Sequence, residues 1–229
     1  MIEDPPLLRV KRDFPRPDAH LVRSLKHVPT GFAVDCMNGR GALDARIKPL
    51  DIGNCRIAGT ALTCNTGPDD NLGLLAAVNF TQPGDIVVNS TESYTNSAVT
   101  GDILVGMLKN RGAAGLVTDG MVRDEEGILV VGLPVFSRGV TPNSCVRNGP
   151  GTIGMPISVD GVPIESGDVI IGDRDGVVVI PRSALEVFCK RLVEVKEAEA
   201  KLTRQVRMGL QAMDAITEIL ESERTLYLD

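Results

Sequence analysis

At 229 residues with 43% hydrophobic content, the chain can bury a sizeable core in one domain or two small ones. Disorder, a collagen-like repeat and a disulfide miniprotein are thereby excluded. The 24 Lys and Arg are scattered against 30 Asp and Glu, for a net charge of −6, so nucleic acid is not expected as a partner. Gly and Pro together make about 17% of the chain, above an average of about 12%, which predicts a turn-rich α/β or β-heavy fold.

The opening MIEDPPLLRVKRDFPR has no apolar targeting core, and no later stretch approaches the roughly 20 apolar residues of a membrane span. A cytoplasmic protein without membrane contact is expected. Cys36, Cys55, Cys64, Cys145 and Cys189 are odd in number and contain no Cys-x-x-Cys pair, so reduced, mostly buried thiols are expected. His20 and His27 are the only histidines. Zincin sites, facial-triad iron and Ser-His-Asp triads have too few ligands or bases to form.

In chain order, Asp18 to His27 has helical spacing and stops before Pro29, and Thr30 is placed to cap a second helix over Gly31 to Met37. Arg56 to Cys64 alternates as a strand. Gly67-Pro68-Asp69-Asp70 turns the chain into a helix over Asn71 to Phe80, and Pro83-Gly84-Asp85 introduces the strand Ile86 to Val88. Thr100 to Arg111 reads as a helix ended by Gly112, Gly115 to Thr118 as a buried strand, and Asp119-Gly120 as a turn into a short helix beginning near Arg123. Five short strands follow: Val135 to Ser137, Ile157 to Val159, Val162 to Ile164, Val169 to Ile171 and Val177 to Ile180. Helical pattern resumes from Ser183 to about Met208, with a shorter helix to about Glu223. One α/β domain over 1–182 with a C-terminal helical extension over 183–229 is expected.

Two apparent motifs lack the context their chemistry needs. Gly149-Pro150-Gly151-Thr152-Ile153-Gly154 matches G-x-G-x-x-G, but a β-run rather than a helix follows, so no helix N-terminus meets a pyrophosphate. A loop that binds neither nicotinamide nucleotides nor S-adenosylmethionine is expected. Asp173-Arg174-Asp175-Gly176 opens like a calcium loop, yet Val177 and Ala184 occupy ligand positions, and a hairpin turn fits better. No Lys interrupts an apolar strand, which leaves Schiff-base chemistry without a desolvated amine.

The strongest constellation is Gly101-Asp102-Ile103-Leu104, then Asp119-Gly120-Met121-Val122-Arg123-Asp124. Asp102 and the N–H groups of Ile103 and Leu104 open a helix, where free donors and the dipole favour an anion. The strand and turn bring Arg123 and Asp124 back beside that helix N-terminus. Arg123 offers a fork for a carboxylate or oxo group. Asp124 offers one hard oxygen ligand, which suits Mg²⁺ better than Zn²⁺. Spacing alone leaves a surface ion pair open as the alternative.

Asp102, twenty residues, then Arg123-Asp124 resembles the signature of the 4-hydroxy-4-methyl-2-oxoglutarate/4-carboxy-4-hydroxy-2-oxoadipate aldolases, class II pyruvate aldolases related to the regulator of ribonuclease E activity A. GFAVDCMNGRG, AGTALTC, GPDDNL, QPGDIVVNS, GDILVGMLKNRGAAGLVTDGMVRD, PVFSRGVTP and GDVIIGDRDGVVVIPR all stand in family order. The resemblance implies a swivelling β/β/α domain assembled as a homotrimer or homohexamer, with active sites between subunits. It implies a lyase that cleaves or decarboxylates a 2-oxo acid to pyruvate through an enolate stabilised by Mg²⁺ or Mn²⁺. Ile103 and Leu104 N–H groups and Arg123 would hold the pyruvyl unit, Asn71 would join substrate binding, Asp124 would hold the metal and Asp102 would order the site. The regulator lacks the Asp after the motif's Arg, so Asp124 favours the enzyme over the alternative, a non-enzymatic trimeric regulatory protein. Leu75 stands where many of these aldolases have His. Oxaloacetate decarboxylation, which needs no base at a C4 hydroxyl, is therefore the reaction expected to survive.

Leu185, Phe188, Leu192, Val195, Glu199, Leu202 and Val206 recur at steps of three and four, the seam of a helix that packs on a neighbour. Such a helix runs about 40 Å, at about 1.5 Å per residue, long enough to reach another subunit. Pattern alone allows Ala198 to supply the packing while Glu199 faces solvent. The resemblance implies instead that Glu199, or Glu197 next to it on a shifted alignment, completes a neighbour's active site.

Overall fold

The computed structural model describes residues 6–228; of the opening segment read for a targeting core, Met1 to Pro5 lie outside the described residues. Among the described residues no helix is long and apolar enough to cross a membrane. The first half of the chain forms β1 (Leu8–Val10), α1 (Ala19–Ser24), α2 (Thr30–Cys36), β2 (Lys48–Pro49), β3 (Ile57–Asn65), α3 (Leu72–Ala77), β4 (Asp85–Ser90), β5 (Ala98–Thr100) and α4 (Asp102–Asn110). The second half forms β6 (Gly115–Thr118), β7 (Met121–Val122), α5 (Glu125–Val131), β8 (Val135–Ser137), β9 (Gly151–Ile153), β10 (Ile157–Val159), β11 (Val162–Ile164), β12 (Val169–Gly172), β13 (Val177–Ile180), α6 (Leu185–Arg207) and α7 (Asp214–Leu220).

Strands β3, β4, β6 and β8 lie side by side and parallel. Each crossover between them carries a helix, α3, α4 and α5 in turn, as parallel neighbours require. Alternation along the strands divides the apolar side chains between two layers. Leu62, Val87, Leu116 and Val135 face Leu74, Leu104, Val105, Leu108 and Ile128 of the crossover helices. Ala61, Ile86, Val88, Val117 and Phe136 face the opposite way, onto Ile157, Val159, Ile164, Ile170 and Val179. The far side of β12 and β13, through Val169, Ile171, Val178 and Ile180, packs on Val22, Leu25, Ala33 and Phe188 of the N-terminal helices and α6. This β/β/α layering is the expected architecture.

The hairpins at Asp160-Gly161 and Asp175-Gly176 form antiparallel pairs β10–β11 and β12–β13 as expected. Two local expectations are corrected. Thr30 does not cap α2; it lies inside the helix, and its N–H and Oγ1 donate to Asp173 at 2.9 and 2.8 Å. A carboxylate 143 residues away outcompetes the local hydroxyl because it satisfies both buried donors. The 149–154 segment is not all loop. Its middle is β9, paired parallel to β1 and antiparallel to the end of β3, so these glycines serve strand packing and still open no helix.

All five cysteines are free; Cys36, Cys55 and Cys64 are buried, and Cys145 and Cys189 half-buried. Helix α6 packs by Leu185, Phe188 and Leu192, all buried. Beyond Val195 no residue of the helix is buried and Val206 is 56% exposed, so this part leaves the body of its own chain.

Candidate active site

The site is assembled by two strands too short to be seen in the sequence. β5 and β7 pair in parallel, Ala98 with Met121 and Thr100 with Val122, and the Arg123 N–H donates to Thr100 O at 2.9 Å. That pairing sets Gly101, just before α4, against Arg123. The turns that feed the two strands are tied by Asp119, which is 1% exposed. Its carboxylate accepts from Thr91 N at 2.6 Å, Thr91 Oγ1 at 2.9 Å and Ser93 N at 3.0 Å. The loops at the carboxyl ends of β4 and β6 are thereby fixed together, the usual place for a ligand in an α/β sheet.

A cavity of about 290 Å³ opens there, and Asn71, Asp102, Ile103, Leu104, Arg123 and Asp124 all line it. Arg123 Nε lies 3.2 Å from Asp124 Oδ2, with both side chains partly exposed, and Nη1 donates to Ser144 Oγ. Nη2 makes no hydrogen bond among the described residues and remains available to a ligand. At Gly101 a Cβ would overlap Asp124 Oδ2, so the missing side chain is what lets the carboxylate stand against the entry of α4.

Helix α4 presents its first turn to the cavity. The Leu104 N–H has no carbonyl partner among the described residues, as is usual for a donor at a helix start, and Leu104 lines the cavity. The Ile103 N–H, expected to be equally free, donates to Asp102 Oδ1 at 2.7 Å. A ligand oxygen that uses it must therefore displace that carboxylate. Lys109, at the other end of α4, donates to Val131 O and caps α5, a structural role on the polar edge.

Asp124 stands at the N-terminus of α5 with φ 56° and ψ 44°. For a residue with a Cβ this left-handed conformation costs about 1–2 kcal/mol, less for Asn and Asp, and such strain gathers at functional positions. Asp124→Asn and Asp124→Gly are therefore expected to keep wild-type stability within about 0.5 kcal/mol, and Asp124→Ala to lose about 1 kcal/mol. Urea unfolding checks this; equal stability of all three variants would contradict the strain. Asn, which also tolerates the left-handed conformation, is therefore the cleaner replacement.

Three further cavity residues, Ser144, Cys145 and Arg147, are not among those the sequence singles out. They lie on the loop after β8, which bridges to β5 at Ala98–Ser144 and to the turn before α3 at Asp70–Val146. Buried Asp70 holds the loop by accepting from the Asn148 and Gly149 N–H groups while also taking Leu72 N at the start of α3. Such a loop has no periodicity, and the signal that could have found it is an Arg among small polar residues. Arg147 makes no ion pair among the described residues. Burial pushes the Cys145 thiol up, which keeps it protonated and a poor nucleophile.

Asn71 is 8% exposed. Its Nδ2 donates to Val99 O at 3.2 Å, but Oδ1 is buried with no partner, an acceptor whose donor a ligand or bound water would bring. Leu75, one turn along α3, presents an apolar side chain to the same space. Glu199 and Glu197 do not line the cavity of their own chain; they ride on the part of α6 that has left the body.

Residues 30–179 match the family model described as RraA-like, Aldolase/RraA. A Halalkalibacterium halodurans protein named "Putative 4-hydroxy-4-methyl-2-oxoglutarate aldolase" is 34% identical over 197 residues, 86% of this chain and 93% of its own. Among solved structures, an uncharacterized protein from Pseudomonas syringae pv. tomato shares the fold with a TM-score of 0.77 at 23% identity, over 87% of this chain and 93% of that one. Streptomyces coelicolor RraAS2, described as an unusual member of the RNase ES inhibitor RraA protein family, superposes with a TM-score of 0.72 at 30% identity, covering 85% of this chain and 100% of its own. The strands, the cavity and the Asp102, Arg123 and Asp124 constellation all fall within the matched segment, and the chain belongs to the RraA-like, Aldolase/RraA family.

Proposed function

We propose that this protein is a divalent-metal-dependent carbon–carbon lyase that releases pyruvate from a 2-oxo acid. The observation that carries the reading is Asp124, held in a strained backbone conformation 3.2 Å from the Arg123 guanidinium and beside the start of α4. A surface ion pair needs neither the strain nor the glycine at Gly101 that makes room for it. Among the described residues no group of three or more metal-ligating side chains occurs. That fits Mg²⁺ or Mn²⁺ held by Asp124, because such hard cations keep most of their waters, and the orphan Asn71 Oδ1 is an acceptor suited to one of them or to a substrate hydroxyl. The cation, when bound, supplies positive charge that stabilises an enolate, the task a Schiff-base Lys performs elsewhere.

The chain's own residues then divide the substrate. Arg123 Nη2 and the Leu104 N–H take the carboxylate of the pyruvyl unit, with the Ile103 N–H joining once Asp102 yields it. Arg147, on the opposite loop, is free to take a distal carboxylate that the reaction retains, as in 4-hydroxy-4-methyl-2-oxoglutarate, whereas the C4 carboxylate of oxaloacetate, which leaves as neutral CO₂, must stay unpaired with it. Leu75 supplies no base for a C4 hydroxyl, which favours oxaloacetate, whose decarboxylation consumes a proton and yields pyruvate and CO₂. Ile103, which lines the cavity, is 73% exposed, and Val130 of α5 is 88% exposed, apolar side chains that further copies would cover in a trimer or hexamer. In that assembly Glu199 of a neighbouring copy would bring a carboxylate to the site and hold or release a proton at its Oε atoms.

The name of the Streptomyces coelicolor relative favours a second reading, a regulator that binds a protein partner without catalysis. Pyruvate release from oxaloacetate and from 4-hydroxy-4-methyl-2-oxoglutarate, followed with Mg²⁺ or Mn²⁺ and then with chelator, separates the two. Free Mg²⁺ and Mn²⁺ decarboxylate oxaloacetate unaided, so rates are read above a protein-free control. The enzyme turns over at least one substrate and stops on chelation; the regulator adds nothing to the control.

A further inference from the structure

Helix α5 carries a glycine in its interior, Glu125-Glu126-Gly127-Ile128, where helix propensity favours almost any other residue. The facing helix supplies the reason. A Cβ on Gly127 would stand 2.6 Å from Asp102 Oδ2, 2.8 Å from Asp102 Cβ and 3.0 Å from its Cγ. Rotation of χ1 moves the oxygen but not Cβ, which is fixed to the backbone of α4, so a side chain at 127 must shift both the carboxylate and the helix. The same pair of helices contains a contrast. Gly106 of α4 would meet nothing nearer than Val131 Cγ2 at 3.9 Å, an ordinary contact, so the tight approach is confined to the two helix starts, where Gly127 meets Asp102 and Gly101 meets Asp124.

We infer that Gly127 is a positioning residue: its bare backbone lets the Asp102 carboxylate lie against α5, and this sets where Asp102 stands at the cavity and keeps it on the Ile103 N–H at 2.7 Å. The inference rests on the reading of this cavity as an active site, in which the Ile103 N–H is exchanged between Asp102 and the substrate. Gly127 touches no substrate; it acts through Asp102.

The test compares Gly127→Ala, Gly106→Ala, Asp102→Asn and the double variant Gly127→Ala/Asp102→Asn. The readouts are melting temperature, exchange of the Ile103 amide by NMR, and kcat and KM for metal-dependent pyruvate release. Gly127→Ala is expected to melt below wild type, because its Cβ would stand 2.8 Å from the backbone-fixed Asp102 Cβ and that overlap outweighs the gain from replacing a helical Gly, yet to stay folded at assay temperature. Its Ile103 amide exchanges about tenfold faster or more, and kcat falls about tenfold or more with little change in KM. The double variant is no slower than Asp102→Asn alone, a non-additivity that general loosening of α5 does not produce. Gly106→Ala keeps wild-type exchange and kcat. Wild-type exchange at Ile103 in Gly127→Ala, or additive losses in the double variant, overturns the proposal. If Gly127→Ala melts well below wild type, Asp102→Gly in the same chain must restore the melting temperature, and no recovery also overturns it. A wild-type protein that releases no pyruvate refutes the lyase reading, while the Ile103 exchange still decides the positioning role.

Discussion

Replacing Arg123 by Lys is expected to lower kcat/KM for pyruvate release about a hundredfold or more, a loss of about 2.7 kcal/mol in transition-state stabilisation. Three faces of the guanidinium have separate tasks. Nε holds Asp124 at 3.2 Å, Nη1 holds Ser144 on the loop that also carries Arg147, and Nη2 is left for the substrate carboxylate. A Lys ammonium keeps the charge, but its donors cannot span these directions at once from a single nitrogen. The variant must abandon the substrate, Asp124 or the loop. Turnover and apparent binding therefore fall together, and Arg123→Ala should be little worse than Arg123→Lys. A Lys variant with near-wild-type kinetics at saturating Mg²⁺ would mean that Arg123 acts as a mere point charge.

Much of this site is legible in the amino-acid sequence because its anchors are local. β6, β8, β10, β11 and β13 are apolar, β-branched runs bounded by Gly, Pro or Asp-Gly turns, and they form where periodicity puts them. Asp102 opens α4 as its place after Gly101 predicts, and Arg123-Asp124 follows β7. The unreadable parts are those that tertiary pairing alone creates. β5 and β7, three and two residues long, have no propensity signal, yet they bring Gly101 to Arg123. Asp119 looks like an ordinary turn residue until three donors from the 91–93 segment converge on it. The Ile103 N–H looks free by position in the helix, but in the fold the neighbouring carboxylate takes it. Thr30 and Asp173 make the same point in the core, where a distant carboxylate replaces a local cap.

Mixing two inactive variants is expected to restore activity. Asp124→Asn removes the metal ligand of a chain's own cavity, and Glu199→Ala removes the carboxylate that the chain lends to a neighbour. After mild dissociation and reassembly at equal amounts, a site is whole when its own chain keeps Asp124 and its neighbour keeps Glu199, which gives about a quarter of wild-type activity in a cyclic oligomer. The geometry that motivates this is the course of α6. Leu185, Phe188 and Leu192 bury the first half of the 23-residue helix on its own chain, whereas the half that carries Glu199 runs clear of that body, a span of roughly 15–20 Å at about 1.5 Å per residue. A fully active Glu199→Ala oligomer, or no recovery in oligomers shown to be mixed, would refute the shared site; recovery with Glu197→Ala in place of Glu199→Ala would move the role by two residues.

One titration tests the metal role of Asp124 most directly: chelator-treated wild-type protein and Asp124→Asn, side by side with a protein-free control, receive Mg²⁺ or Mn²⁺ while pyruvate release from oxaloacetate above that control is followed. Wild type is expected to go from no turnover to saturating turnover as metal is added, and Asp124→Asn to stay at least about a hundredfold lower at every concentration, as the loss of a hard anionic ligand dictates. Equal, metal-dependent rates in the two proteins, or turnover in wild type that chelator leaves unchanged, would contradict it.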